Sequence, residues 1–145
     1  MPDPRAVTSY EGIDAEYATY AIDNSTITYD ATKANGAATT MLDKAVTFST
    51  GKTVALCADG DAVIGRLDMV TSDNYARVQV EGFTTLPGGV SATLTTGDVV
   101  VGALGAASAK GYIRIAASGT AGELVKAGPV IHDGTTDATA VVVQF

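Results

Sequence analysis

The chain has no tryptophan, one cysteine, one histidine, three phenylalanines and nine basic residues in 145. With a single cysteine, Cys57, no intrachain disulfide can form. A nucleophilic thiol needs a base beside it, and the sole histidine, His132, has no cysteine or carboxylate pattern around it beyond Asp133. Cys57 therefore reads as a small buried residue on a strand over 53–58, and His132 as a strand-end or loop residue. Metal-ligand spacing is absent, and no cofactor is expected. Nine lysines and arginines against sixteen acids leave a net charge of −7, with no basic patch. That balance excludes phosphate-backbone recognition and disfavours anionic membranes, so neither nucleic acid nor membrane is expected as a partner. The longest nearly apolar run, 99–107, is too short to span a bilayer. The start, Met1-Pro2-Asp3-Pro4-Arg5, lacks an apolar signal segment, which points to use without Sec-type export.

What is present is a train of short alternating segments. A length of 145 residues fits one domain with a real core. The hydrophobic share of 46% is mostly alanine and valine, which suits closely packed strands. From Tyr75 to Glu81, Ala76, Val78 and Val80 fall on one face and Tyr75, Arg77, Gln79 and Glu81 on the other. Between 62 and 70, Val63, Leu67 and Met69 share a face with Gly65, opposite Arg66 and Asp68. Val46 and Phe48 share one face in the same way. Later, Tyr112 and Arg114 oppose Ile113 and Ile115, and Val141, Val143 and Phe145 share a face in a last strand that should seal the barrel. Asp59-Gly60-Asp61, Ser72-Asp73-Asn74, Leu86-Pro87-Gly88-Gly89 and Thr96-Gly97-Asp98 supply turns between these runs. A strand over 53–58 is expected to pair through Asp59-Gly60 with the next one in the chain. The spacing predicts an all-β fold, a small antiparallel β-barrel or sandwich with an extended N-terminal arm.

The arm is residues 1–35 and the body 36–145. Residues 1–35 carry six acids against two bases and four of the six tyrosines. Asn24 to Tyr29 could pair as a strand, and a short helix over 14–21 is conceivable. Tyr10, Tyr17, Tyr20 and Tyr29 are the candidate partner-contact residues, since tyrosine joins a large contact area to a polar tip. The alternative for these tyrosines is simply to cover the barrel.

Several local patterns resemble chemical motifs. Gly51-Lys52-Thr53 lacks the earlier glycine of a phosphate-binding loop, where Val46 stands, and no helix is expected after it. Asp59-Gly60-Asp61 lacks the later oxygen ligands of a calcium loop. Asp43-Lys44-Ala45 is similar to the lysine-bearing hairpin tip of lipoyl and biotinyl carriers, but Lys44 precedes a strand instead of joining two. The acids outside the arm lie mostly in turns, where backbone hydrogen bonding explains them. No catalytic cluster is visible, and the protein is not expected to be an enzyme.

The order of these segments resembles the capsid cement, or head-decoration, proteins of tailed bacteriophages. The likeness runs from Lys44-Ala45-Val46 through the stretch from Asp59 to Arg66, then Val80-Glu81-Gly82-Phe83, the Leu86-Pro87 turn and the stretch from Thr95 to Val100. It ends with the acidic turn from Asp133 to Asp137 and a terminal strand from Ala140 to Phe145. Asp43 stands where that family usually has glycine. The resemblance implies a non-enzymatic structural protein, made in the bacterial cytoplasm, that binds the major capsid protein on the outer surface of the virion. It implies a homotrimer that locks neighbouring capsomers. The alternative is another virion β-module, such as a tail, spike or carbohydrate-binding domain.

Overall fold

The computed structural model describes residues 14–117, 119, 122–123, 128–133 and 141–145. Its regular structure is almost entirely β, with strands joined by tight turns and by longer connections, 23–44 and 87–99 among them. Five strands form a closed barrel: β1 (Glu16–Ile22), β2 (Ala45–Phe48), β3 (Thr53–Leu56), β4 (Gly65–Val70) and β5 (Tyr75–Glu81), in the order β1-β3-β2-β4-β5. Beside it lie a three-stranded sheet and a two-stranded one. The first is β6 (Phe83–Leu86), β10 (Val141–Gln144) and β9 (Val130–Asp133), ordered β6-β10-β9; the second pairs β7 (Val100–Ala103) with β8 (Tyr112–Ile115).

The alternation in β5 produces the expected inner face. Ala76 and Val78 are fully buried, and Arg77 and Tyr75 face outward. Val46, Val54, Leu67 and Val70 join them inside the barrel with Ile22. In β4 the alternation breaks. Leu67 pairs with Val78 and Met69 with Arg77, so Asp68 is the extra residue of a bulge. The bulge turns Val70 into the core where Met69 was expected.

Two expected pairings are corrected. Strand β3 does not pair with β4; β2 lies between them, antiparallel to both, while β3 runs parallel to β1. Strand β10 does not seal the barrel. It is the middle strand of the second sheet, where Val143 is buried and Phe145 packs against a second core. That core, containing Ala45, Cys57, Leu86, Ile113, Ile131 and Val143, joins residues of the barrel wall to both smaller sheets. It also explains Gln79, expected to face water and in fact 1% exposed. The Gln79 amide donates to the carbonyls of Glu81 and Phe83, at 3.1 and 3.2 Å, so its burial leaves the donor satisfied.

The turns divide in the same way. Thr71 to Tyr75 closes the β4–β5 hairpin, with the Thr71 N–H donating to the Tyr75 carbonyl at 2.8 Å and Asn74 at φ 63°. Leu86-Pro87-Gly88-Gly89 is not a turn. It runs extended along β8, bonded to both the N–H and the carbonyl of Ile113, and so ties the two small sheets together. Pro87 sits there without cost because its carbonyl is the group used. The last-strand expectation at 138–140 and most of the segment 123–127 lie outside the described residues; Glu123 itself is not in a strand.

The division into arm and body is corrected for residues 14–35. Strand β1 is neither helix nor free arm: it pairs antiparallel with β5 over Glu16 to Ala21 and parallel with β3 at Ala21 and Ile22, closing the ring. After it, Asn24 to Tyr29 forms no strand. The Asp23 carboxylate instead accepts from the N–H groups of Ile27 and Thr26, at 2.9 and 3.0 Å, and from the hydroxyls of Ser25 and Thr26. This side-chain turn lowers Ile27 into the barrel, where it is 0% exposed. Thr26 Oγ1 also accepts from the Leu56 N–H at 2.9 Å, serving β3 where β1 has ended. Residues 1–13 of the expected arm lie outside the described residues.

Partial burial pushes the Asp23 acid up, but the hydrogen bonds from Ile27, Ser25 and Thr26 outweigh it and hold the group below its ordinary 3.8. A depressed folded-state value means the stabilisation is complete above 3.8 and is lost as pH falls through the folded value. Asp23→Ala is expected to cost about 1–3 kcal/mol at neutral pH, the range for stranding donors that had a charged partner. In thermal melts the gap between variant and parent should narrow as pH falls below 3.8. Equal melting at neutral pH would refute the role given to this turn.

Candidate partner-binding face

The tyrosines singled out in the sequence do not form one patch. Tyr10 lies outside the described residues. Tyr17 and Tyr20 are both on β1, and Tyr29 is elsewhere, lining a recess of about 310 Å³ with Lys33, Gly36, Met69 and Thr71. Tyr17 is 48% exposed, with the Arg77 guanidinium 4.9 Å from its ring centroid. Arg77 is held in turn by Asp68, Nε to Oδ2 at 2.6 Å. The bulge that displaces Asp68 thus anchors the cation that flanks Tyr17, a row crossing β1, β5 and β4.

Tyr20 is half-buried. Its ring meets Phe48 edge-on, centroids 5.3 Å apart at 86°, the arrangement that the ring quadrupoles favour. Phe48, expected on the same face as Val46, is 54% exposed, because β2 ends there and the barrel wall no longer encloses it. Tyr75, placed outward by its alternation, is 44% exposed. Tyr20, Phe48 and Tyr75, with Thr19, Ser49 and Lys52, line an open groove of about 640 Å³ between β1 and the β2–β3 hairpin. Two of its three aromatics, Phe48 and Tyr75, were not among the expected contact residues. The signal for Tyr75 was present in its outward alternation; for Phe48 it was not, since strand ends cannot be placed by period alone.

The groove is formed by unequal strand lengths. Among the described residues, β1 meets β3 only at its last two positions, so Glu16 to Tyr20 run on past the start of β3. There the hairpin turn takes over, with Gly51 and Lys52 at φ 72° and 71° and the Ser49 N–H donating to the Thr53 carbonyl at 2.8 Å. Gly51-Lys52-Thr53 is therefore a hairpin turn that places Lys52 at the groove, with no phosphate-binding helix after it.

The other tempting residues have structural partners. Lys44 does not sit at a hairpin tip; its Nζ lies 4.4 Å from the Tyr112 ring centroid, and Asp43 accepts from Arg66. In Asp59-Gly60-Asp61, Asp61 accepts from the Ala58 N–H at 2.8 Å and Gly60 adopts φ 77°. Asp59 instead pairs with Arg114 at 2.8 Å. Arg114 also holds Glu123 through two bonds of 2.6 and 2.8 Å. These bonds from Glu123, then from Asp59, raise the arginine above its already high value, so this three-way pin stays charged. The strand β9 carries His132. Among the described residues no group of three His, Cys, Asp or Glu side chains could hold a metal, and no helix is long and apolar enough to cross a membrane.

Compared with family models, with characterised proteins and with solved structures, the chain matches none.

Cys57 follows β3 and is 0% exposed, in the second core. Burial, then the nearby Asp61 carboxylate, pushes its thiol far above the ordinary value, so thiolate is scarce. Native protein is expected to resist a thiol reagent such as a maleimide at neutral pH and to be labelled stoichiometrically in denaturant. Rapid labelling of the folded chain would contradict this placement.

Proposed function

We propose that this protein is a capsid cement protein of a tailed bacteriophage, a non-enzymatic binder of the outer face of an assembled head. Its partner in this reading is the major capsid protein, and its working form on the virion is a homotrimer. The observation that carries the proposal is the ordered series of segments from Lys44 to Phe145 that resembles that family. The β body supports it physically. A clamp needs a surface that keeps its shape under load, and here a closed barrel is braced by two small sheets through a shared core. It also needs contact area that costs little entropy to order. Tyr17, Phe48 and Tyr75 offer exposed aromatic area around β1 with few rotatable bonds. The acidic balance keeps such a protein away from the packaged genome and soluble before it docks.

A carbohydrate-binding virion module is the second reading, favoured by the aromatic groove of Tyr20, Phe48 and Tyr75. It places the ligand in the same groove but needs no shell.

Purified protein is expected to bind expanded empty capsids and raise their rupture temperature. Tyr17→Ser with Phe48→Ser should weaken attachment about tenfold or more, since each buried interface aromatic contributes upwards of about 1 kcal/mol. Failure to bind at micromolar concentration would overturn the proposal, and saturable binding of a glycan array by the same groove would favour the second reading.

A further inference from the structure

The groove between β1 and the β2–β3 hairpin sets aromatic area beside one cation. Phe48 and Tyr75 stand exposed on it, and the Tyr20 ring steadies Phe48 edge-on. Lys52 lines the same groove. Elsewhere Arg66, Arg77 and Arg114 are each held by carboxylates of the fold and Lys44 lies over Tyr112, whereas Lys52 is in no ion pair among the described residues. Its backbone makes the placement costly. Gly51 and Lys52 are both left-handed, at φ 72° and 71°, where glycine is favoured and a longer side chain is strained. Among the described non-glycine residues at positive φ, Lys52 is the one cation. Glycine at this position would relax the turn, so what accounts for the lysine is where it puts its charge.

We propose that the groove docks an extended segment of another protein, one that presents an apolar side chain next to a carboxylate. The three aromatics supply the surface for the apolar side chain, and the Lys52 ammonium supplies the complementary charge. The rest of the polar lining is hydroxyl groups, on Thr19, Ser49 and the two tyrosines. A pyranose brings several hydroxyls that each need a partner when they leave water. Among the described residues the lining has no carboxylate, amide or guanidinium to give them one. A protein segment makes a smaller demand, because it can bury a ring and one acid while its backbone stays toward solvent. This inference rests on the reading of the protein as a binder of another protein, and states what that partner presents to it.

The test takes the full-length protein, isotope-labelled for NMR, and titrates it with N-acetylphenylalanine, with the primary amide of that compound and with methyl glucuronide. The acid is expected to shift the amides of Phe48, Lys52 and Tyr75 saturably and to bind about two- to fivefold more tightly than the amide, the range of an exposed ion pair. On a chain of net charge −7 the overall field repels an anion, so this preference reports Lys52 locally. Lys52→Gly should erase the preference and melt about 2–4 °C higher as the left-handed strain is relieved. Phe48→Ser should weaken both ligands. Equal binding of acid and amide to the parent would overturn the proposal. So would a lower melting temperature for Lys52→Gly, which would give the lysine a role in the fold. Tighter binding of the glucuronide would overturn it in favour of a sugar. Shifts of the same amides with protein concentration alone, or nuclear Overhauser contacts there from elsewhere in the same chain, would overturn it by making this chain the occupant. Capsid attachment unweakened by Lys52→Gly would sink this docking chemistry and leave the cement reading standing; acid-selective binding in the groove without capsid attachment would do the reverse.

Discussion

A five-stranded ring closes only if one strand reaches both free edges, and here that strand is β1. Its pairing with β5 is long and its pairing with β3 is two residues, so closure hangs on the end of β1. Hydrogen bonds just beyond the overlap reinforce that end. The Ile22 N–H donates to the Asn74 carbonyl and the Asp23 N–H to the Val54 carbonyl, both at 3.1 Å. The Asp23 turn then drops Ile27 into the interior, whose burial is worth about 1.5–3 kcal/mol. Removing the closure would open the core at Ile22, Val54 and Ala76 at once. The same short overlap sets Thr19 and Tyr20 beyond the start of β3, and the aromatic groove lies there.

The second constraint is the shared core on the barrel's flank. Small residues make it workable. A side chain at Gly65 would collide with the carbonyl of Gln79, and one at Gly102 with the carbonyl of Ala58, so β4 and β7 approach their neighbours only because these positions are bare. Arg114, held by Asp59 and Glu123, fastens the Asp59 turn to β8 across the same junction. The body is thus two cores sharing a wall, which suits a protein that acts by holding its shape.

Much of this was legible from the residues alone. The inner faces of β5 and β8, the hairpin at Asn74, the burial of Cys57 and the all-β class follow from alternation and turn chemistry. The failures share a physical origin in contacts remote in sequence. Nothing local marks Asp68 as a bulge, because a bulge is defined by its partner strand. Gln79 looks solvent-facing until a second sheet covers it. β1 was read as part of an arm because its alanines, tyrosines and threonine carry no strong apolar period, and its acidic surroundings pointed to solvent. Of the expected contact tyrosines in the described residues, Tyr20 lines the groove, Tyr17 on the same strand lies against Arg77, and Tyr29 lines a separate recess. Phe48 joins Tyr20 because a strand end falls there.

The central claim is that β1 is an integral stave of the barrel, and native-state hydrogen exchange tests it most directly. The Ile22 and Asp23 amides are expected to exchange only through global unfolding, with the same free energy and denaturant dependence as the amides of Val70 and Val78. Exchange of Ile22 and Asp23 through a separate, low-energy opening, with the rest of the barrel still protected, would contradict it.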